Sequence, residues 1–341
     1  MEEPNSIIMS TIPKGSTVLI TGVNGFIASH VADEFLAAGY DVRGTARSMA
    51  KADWLYERFD KTYGKGKFEC VEVADMVHEG AFDEAVKGVS GICHLASVLS
   101  FSSNPDEVIP PTVKGTLNIL TSASKEPSVK SVVYTSSSTA ALLPQPNKEI
   151  KVTKDTWDDA AVEAAYQPNP DAFTVYGASK TEAERAVWKA FKETKPPFQV
   201  ATVLPNANFG TILQPGGENS SSTGSWVVKL WNGDASILDF PPQWFVDVRD
   251  TAKLHVAALI DPSANGQRIF AFAEPYSWNK LLAILRKQNP DRQFLEDKEG
   301  EGEDLCQIPN EDAEALLQKH YGHGWTPLEE SLRANTATLK A

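Results

Sequence analysis

The sequence predicts an α/β protein with a doubly wound, parallel sheet of the Rossmann type and a smaller, mostly C-terminal domain. Three observations predict this fold. Apolar strand-like runs alternate with helical periods over residues 14–205, a glycine-rich turn follows the first run, and the alternation then breaks. Because parallel neighbours need crossover helices, repeated strand–helix–strand units indicate a parallel sheet. We expect one domain over 14–205, joined by part of 245–273, and a second mainly over 206–341.

The elements follow from hydrophobic periodicity and turn residues. A first helix begins near Ile27, since Ile27, Val31 and Phe35 recur four residues apart, and Gly39 suits its C-terminal end. A mobile loop is expected at Gln214–Ser225, which is rich in Gly and Ser. The predicted strands are Ser16–Thr21, Asp41–Ala46, Lys67–Val73, Gly91–Ala96, Lys130–Thr135 and Phe198–Leu204. The other predicted helices are Thr112–Lys125, Trp226–Trp231, Arg249–Ile260 and segments starting near Ser277, Asn310 and Pro327.

Composition excludes several classes of protein. The 341 residues are 42% apolar and 23% charged, a balance typical of globular chains and not of disordered ones. Lys and Arg number 32 against 45 Asp and Glu, which gives a net charge of −13. A chain this acidic is a poor partner for nucleic acid or an anionic membrane. We therefore expect a small-molecule partner, and nothing in the sequence indicates an oligomeric state.

Cysteine usage and the N-terminus indicate the compartment. Three widely spaced cysteines, Cys70, Cys93 and Cys306, are typical of reduced thiols. No run approaches the ~20 apolar residues of a membrane span. The N-terminus, MEEPNSIIMS, lacks the basic start of a secretory signal and is expected to be a short disordered lead-in. We expect a cytoplasmic protein.

The glycine-rich turn TGVNGFIA, residues 21–28, predicts a dinucleotide site. Gly22 permits the tight turn, Gly25 lets the backbone approach a pyrophosphate, and Ala28 allows close helix–strand packing. The turn follows a strand and opens a helix, which is the context that the motif requires. The alternative is an ordinary strand-to-helix turn. The predicted contacts are Thr21, Gly22, Asn24, Gly25, Phe26 and Ile27.

The end of the second strand favours NADP(H) over NAD(H). NAD sites place an acid there for the ribose 2′-hydroxyl, but Asp41 lies at the wrong end of the strand. Arg43, Arg47 and Lys51 lie towards the other end, and the forked donors of arginine suit a 2′-phosphate. Arg47 is expected to be the main contact, and a solvated basic patch is the alternative.

The end of the third strand offers a second contact with the dinucleotide. Asp75, followed by Met76, stands where it could meet the adenine edge. A surface aspartate at a strand end is the alternative interpretation.

Tyr176 and Lys180, in YGASK, form the candidate catalytic pair. Residues at i and i+4 share one helix face. A phenol can deliver a proton to a reduced carbonyl if a nearby ammonium lowers its pKa from ~10. Tyr176 opens a long helix between the fifth and sixth strands, so the pair can be held rigidly near the carboxyl ends of the strands.

Spacing alone does not identify this pair, because Tyr63/Lys67 and Tyr276/Lys280 share it. Tyr63 lies in YGKGK, which carries too much glycine for a helix. Tyr276 follows a late strand with no serine-bearing strand end close before it. A serine hydroxyl to hold the substrate oxygen is expected in TSSST after the fifth strand, and the pattern leaves Ser136, Ser137 and Ser138 as equal candidates.

These motifs together resemble the extended short-chain dehydrogenase/reductases. The likeness is strongest to the dihydroflavonol-reductase-like branch and its yeast and fungal NADPH-dependent aldehyde and carbonyl reductases. It covers nearly the whole chain, in segments that include TGVNGFIASHV, YDVRGTARS, HLASVLSFS, EPSVKSVVYTSSS, VYGASKTEAERAVWK, VLPNANFGTI and PPQWFVDVRD.

The resemblance implies a Rossmann domain, a small substrate domain, NADP(H) and reduction of aldehydes, ketones or keto-esters. It selects Ser137 to orient the carbonyl, Tyr176 to protonate its oxygen and Lys180 to lower the tyrosine pKa and hold the ribose. Thr112 stands where many members carry an asparagine, which puts a relay through that residue in question. The cofactor's nicotinamide end is implied to contact Ala96, Ser97, Pro205, Asn206, Ala207 and Asn208.

The substrate remains open at this point. Phe101, Trp226, Gln243 and Trp244 are candidate pocket residues, with plain packing as the alternative for each. The same fold also serves reductases of flavonoids, sterols or thioesters and non-catalytic NADP(H) sensors. No metal site is predicted, and His94 is expected to be a hydrogen-bonded core histidine.

Overall fold

The computed structural model describes residues 10–218 and 222–340, and its centre is a seven-stranded parallel sheet. The strand order is β3-β2-β1-β4-β5-β6-β9, which is doubly wound about β1 and confirms the predicted fold class. A second sheet has the order β10-β8-β7. The strands are β1 Thr17–Thr21, β2 Asp41–Ala46, β3 Phe68–Glu72, β4 Gly91–His94, β5 Ser131–Thr135, β6 Gln199–Pro205, β7 Ala207–Phe209, β8 Gln243–Asp247, β9 Arg268–Ala271 and β10 Glu274–Tyr276.

Helices cover both faces of the main sheet. Their bounds are α1 Phe26–Ala37, α2 Asp53–Tyr63, α3 Pro105–Lys125, α4 Asp159–Ala165, α5 Ala172–Thr194, α6 Gly224–Trp231, α7 Val248–Ile260, α8 Trp278–Gln288, α9 Glu311–Tyr321 and α10 Leu328–Asn335. Alternate residues of a strand point to opposite faces, so β1 serves two cores. Val18 and Ile20 pack with α1, α7 and α9, whereas Leu19 packs with α3 and α5.

The second sheet belongs to a separate apolar cluster. Residues of β7, β8, α6, α8 and α10 bury their apolar side chains together, with Trp278 fully enclosed. The chain returns to the main sheet in β9, and α7 packs against β5 and β6. The division into 14–205 with part of 245–273, and 206–341, stays a prediction.

Two local predictions are wrong. Helix α3 begins at Pro105 and not at Thr112, and it contains Pro110 and Pro111. The Asn104 side chain caps it by accepting from the Asp106 N–H, and the burial of Val108 and Ile109 compensates for the missing proline N–H groups. Tyr63 is the last residue of helix α2 and does not lie in a loop, because the glycine-rich turn starts only at Gly64.

Two expectations fall wholly or partly outside the described residues. The predicted disordered lead-in lies there except for Ser10, whose hydroxyl donates to the Ile12 carbonyl. The predicted loop over 214–225 includes residues 219–221, which also lie outside. Its last two residues already belong to α6, and Thr223 is fixed by hydrogen bonds to the Asn208 backbone. Within the described ranges, no helix is both long and apolar enough to cross a bilayer.

Candidate active site

The turn after β1 forms a backbone cradle at the carboxyl edge of the sheet. Gly22 has φ +65°, and a Cβ on it would lie 3.2 Å from the Cα of Ala96. Gly25 caps α1 without a side-chain hydrogen bond, and no acid stands in the first turn. The first N–H groups and the positive end of the helix dipole are therefore available to an anion. The residues fit the pyrophosphate of a dinucleotide.

Thr21 supports this turn from inside the protein, and its contact with a dinucleotide stays a prediction. The residue is fully buried, and its hydroxyl accepts from the Leu95 and Ala96 N–H groups. The same hydroxyl lies 2.9 Å from Nδ1 of His94 and so donates to it. His94 is the predicted core histidine, and burial lowers its pKa to about 3. These bonds hold the end of β4 against the glycine turn.

The basic residues of the predicted 2′-phosphate site separate in the structure. Arg47 follows β2, is exposed, and has no ion pair within residues 10–218 and 222–340. Lys51 ends a short 3₁₀ turn and is also exposed. The structure corrects the prediction that Arg43 contacts the 2′-phosphate. The Arg43 guanidinium donates to Glu69 at 2.6 Å and to the Ala85 and Lys87 carbonyls. Mid-strand placement turns its guanidinium away from the strand end that carries Arg47.

The third strand ends beside the same crevice. Asp75 is exposed, and one of its carboxylate oxygens accepts from the Val77 N–H at 2.9 Å. Met76 packs against Gly115 of α3, and its carbonyl accepts from Asn118. This anchoring leaves the second Asp75 oxygen without a hydrogen bond among the described residues, so a contact with the adenine edge stays a prediction.

Tyr176 and Lys180 lie on one face of α5, at the carboxyl end of β5. The helix starts early enough to present both, because Asp171 caps it by accepting from the Phe173 and Thr174 N–H groups. Lys180 is buried, and its ammonium donates to the Thr135 carbonyl at 3.2 Å. Parallel register brings the ends of β1, β4 and β5 side by side, so the pair faces the crevice beyond the glycine turn.

Burial shifts the pKa of both residues of the pair. Burial raises the pKa of Tyr176, while a hydrogen bond with the Ser137 side chain lowers it. Burial lowers the pKa of Lys180 to about 8, and the charge of Glu184 opposes that shift. The predicted effect of the Lys180 ammonium on the phenol stays a prediction.

The structure separates the three serines that the sequence left equal. The Ser136 hydroxyl donates to Glu184 at 2.7 Å, inside the protein. Ser138 begins a short 3₁₀ turn. Ser137 accepts from the Thr139 N–H and hydroxyl, and it alone of the three interacts with Tyr176. All three follow β5, and Ser137 caps the 3₁₀ turn Ser138–Ala140.

Two predicted nicotinamide segments border the same crevice. Ala96 packs against Gly22, and the Ser97 hydroxyl is buried with no hydrogen-bond partner among the described residues. A buried donor without a partner is suited to a polar ligand. Pro205 ends β6, and Asn206 and Ala207 carry the chain into the second sheet. The Asn208 side chain is bonded to Thr251 and the Asn206 carbonyl, and its backbone N–H and carbonyl are bonded to Thr223, so a cofactor contact at this residue stays a prediction.

Aromatic rings line the approach to Tyr176. Phe101 is exposed, and its ring centroid lies 5.5 Å from that of Tyr176. Phe173 stacks on the other side at 6.3 Å, and Phe240 joins Phe173 to Trp226. The sequence analysis missed Phe173 and Phe240. Phe173 precedes Tyr176 by three residues on one helix face, which is a detectable signal, whereas only the tertiary fold brings Phe240 here.

The two remaining pocket candidates lie on β8. Gln243 is buried, pairs with Tyr276 of β10, and its amide donates to the Pro241 carbonyl, so its pocket role stays a prediction. Trp244 packs against Phe272 in a cluster that includes residues 140–142, just after Ser137. A pocket role for Trp244 stays a prediction.

Thr112 lies on α3 where the resemblance implies an asparagine. Its hydroxyl donates to the Val108 carbonyl of its own helix at 2.7 Å, so a proton relay through this residue stays in question. The two C-terminal histidines are also internally bonded, His320 to Asp261 and His323 to Lys253.

The sheet, the glycine turn and the helix-borne pair define a Rossmann-fold protein of the dehydrogenase type. The chain belongs to the NAD dependent epimerase/dehydratase family, whose model matches residues 18–271. This agrees with the resemblance to extended short-chain dehydrogenases.

Similar proteins include named reductases. The chain is 42% identical to aldehyde reductase 2 of Sporidiobolus salmonicolor, over 95% of this chain and 96% of that one. It is also 42% identical to ketoreductase adrE of Penicillium rubens, over 96% and 97%. Among solved structures, yeast methylglyoxal/isovaleraldehyde reductase Gre2 complexed with NADPH has a TM-score of 0.83 and 26% identity, covering 95% of this chain and 98% of that one.

Proposed function

We propose that this protein reduces aldehydes and ketones, keto-esters included, to alcohols with NADPH. The observation that carries the proposal is the meeting of Ser137, Tyr176 and Lys180 at the end of β5, across the crevice from the uncapped turn at Gly22. The names of the aldehyde reductase and the ketoreductase that are each 42% identical to the chain, and the NADPH in the Gre2 complex, support the same reaction.

The described residues fit the cofactor. The α1 N-terminus and Gly22 would hold the pyrophosphate, Arg47 the 2′-phosphate, and Ser97 the nicotinamide end. The cofactor, when bound, supplies the hydride. Lys180 would hold a ribose hydroxyl, because its ammonium donates to the Thr135 carbonyl and has further N–H donors to offer.

The side chains at the end of β5 would bind the carbonyl oxygen and transfer the proton to it. Ser137 donates a hydrogen bond to the carbonyl oxygen as negative charge develops there. Tyr176 delivers its proton to that oxygen and leaves a phenolate. Lys180, cationic below about pH 8, adds a positive charge to the site.

The rings around Tyr176 suggest a substrate with an apolar or aromatic group beside the carbonyl. Phe101 and Phe173 flank the phenol, and Phe240 and Trp226 continue the apolar surface. The test is NADPH oxidation with a panel of small aldehydes, aryl ketones and keto-esters. Tight NADPH binding with no turnover of any carbonyl would contradict the proposal.

The compartment is proposed from the cysteines. All three are free thiols, and burial raises the pKa of Cys70 to about 11. Protonated, unpaired thiols suit a reducing cytoplasm.

Replacing Arg47 by alanine should lower the preference for NADPH over NADH about tenfold. A charged hydrogen bond to the 2′-phosphate contributes about 1.5–3 kcal/mol, part of which Lys51 retains. The ratio of kcat/KM with the two cofactors measures the effect. Arg333→Ala on α10, another exposed arginine, should leave the ratio unchanged. An unchanged ratio in Arg47→Ala would remove this residue from the site.

Replacing Phe173 by alanine should raise KM for an aryl ketone about tenfold and leave KM for a small aldehyde nearly unchanged. The lost ring contact and apolar area are worth about 1–2 kcal/mol only to a substrate that reaches them. Phe191→Ala, further along α5 and packed under α3, is the control. Equal KM changes for both substrates would show that Phe173 acts on the fold and not on the pocket.

A further inference from the structure

A buried carboxylate lies one helical turn beyond Lys180. Glu184 of α5 is fully enclosed, four residues after Lys180 and eight after Tyr176, on the same helix face. A buried carboxylate is costly unless every oxygen is hydrogen-bonded. This one meets that condition, with donors from β5, β6, β9 and its own helix: Ser136 at 2.7 Å, Thr202 at 2.8 Å, Trp188 at 3.2 Å, and Arg268 at 2.8 and 3.2 Å.

Arg268 is the paired cation and is anchored on its far side. It is nearly fully buried, donates to the Lys154 and Thr156 carbonyls, and stacks on the Trp157 ring at 3.9 Å. These contacts hold the guanidinium away from the crevice. The Glu184 carboxylate lies between this guanidinium and the turn of α5 that carries Tyr176 and Lys180. The bidentate pair ties α5 to the strand next to β6.

Lys180 faces few other titratable groups. His94 of β4 and Tyr134 of β5 pack near it, the latter ring at 5.7 Å, and Tyr176 precedes it on α5. Burial lowers the pKa of His94 to about 3 and raises the pKa of both phenols, so all three are neutral near pH 7. Glu184 is thus the charge that acts on Lys180 among the described residues.

We propose that Glu184 is a positioning residue of the reductase site. It fixes the strand end next to Ser137 through Ser136, and its charge, one helical turn from Lys180, favours the ammonium form of that lysine. The catalytic consequence rests on the proposed function, whereas the effect on Lys180 can be measured without turnover.

The test uses the double variant Glu184→Gln with Arg268→Met. Removing only the carboxylate would leave a lone buried guanidinium and endanger folding. Lysine labelled with ¹³C at Cε, assigned with Lys180→Arg, reports the Lys180 titration by NMR in the full chain. We expect its pKa to fall by about half a unit in the double variant, because the lost charge of Glu184 lies one helical turn from Lys180 and outweighs the lost charge of Arg268, which opposes it. An unchanged Lys180 titration overturns the proposal.

Two further variants separate charge from packing. Glu184→Asp keeps the charge, so Lys180 should titrate close to wild type even if the melting temperature falls. Asp261→Asn removes another buried carboxylate, held by Lys319 and His320 near the start of β6, and should lower the melting temperature without moving Lys180. A Lys180 shift in Asp261→Asn as large as in the double variant would also overturn the proposal.

Turnover gives the catalytic readout. The alkaline limb of the kcat/KM profile should move to lower pH in the double variant and stay in place in Asp261→Asn. If Lys180 shifts in the NMR titration but the limb does not move, the positioning role in catalysis is overturned. If wild type turns over no carbonyl, the proposed function fails, and the NMR titration still decides the effect of Glu184 on Lys180.

Discussion

Phenylalanine in place of Tyr176 should lower kcat for carbonyl reduction about a thousandfold while NADPH still binds. The substitution removes one oxygen atom and keeps the ring between Phe101 and Phe173, so the aromatic wall stays intact. A positioned general acid contributes typically 10²–10⁴-fold to rate. Loss of the phenol leaves Ser137 as the remaining donor to the substrate oxygen among the three catalytic candidates. Steady-state kinetics with a keto-ester, with NADPH affinity measured by fluorescence, check the result.

Tyr276→Phe is the matched control. Tyr276 also has a lysine four residues later, but it belongs to β10, and Lys280 binds Glu274. This variant should keep wild-type turnover. Wild-type rates in Tyr176→Phe would remove the phenol from the mechanism, and equal losses in both variants would indicate a general effect on folding.

Valine in place of Gly22 should weaken NADPH binding about a hundredfold. Gly22 has φ +65°, where a β-branched residue is strained by about 1–3 kcal/mol. Its Cβ would lie 3.2 Å from the Cα of Ala96, a backbone atom that cannot move without displacing the end of β4. The turn therefore opens and the N–H groups of α1 lose their alignment. Titration with NADPH measures the change in Kd.

Gly39→Val separates the local effect from backbone strain alone. Gly39 follows the other end of α1 with φ +86°, and a Cβ there meets nothing within 4 Å among the described residues. We expect a lower melting temperature with NADPH affinity retained. Unchanged NADPH affinity in Gly22→Val, at a melting temperature equal to that of Gly39→Val, would show that the turn does not hold the cofactor.

The three Tyr–Lys pairs show where sequence reasoning succeeds. The choice of Tyr176/Lys180 depended on a long amphipathic helix placed between two strands, and α5 has that position. Tyr63 was set aside for a wrong reason, since it does lie in a helix, yet its hydroxyl donates to Asp33 on the outer face of the fold. Hydrophobic periodicity predicts helices and strands well because it reflects which face of each helix or strand is buried.

The roles of individual side chains are harder to predict from the sequence. Arg43 and Arg47 have the same parity along the strand. Glu69 on β3 forms an ion pair with Arg43, whereas Arg47 forms no ion pair among the described residues. Thr21 belongs to the glycine-rich motif, and its buried hydroxyl is hydrogen-bonded to His94. Each outcome depends on a partner from another strand, which no local pattern contains.

The sequence by itself determined the parallel sheet, the glycine turn and the helix that carries Tyr176 and Lys180, because these follow from local periodicity and backbone conformation. Only the tertiary structure decided which serine faces the phenol, which arginine remains free, and that Glu184 meets Arg268 across strands far apart in the chain. The physical reason is that hydrogen bonds and charges act over a few ångströms in space, and the fold sets those distances independently of separation along the chain.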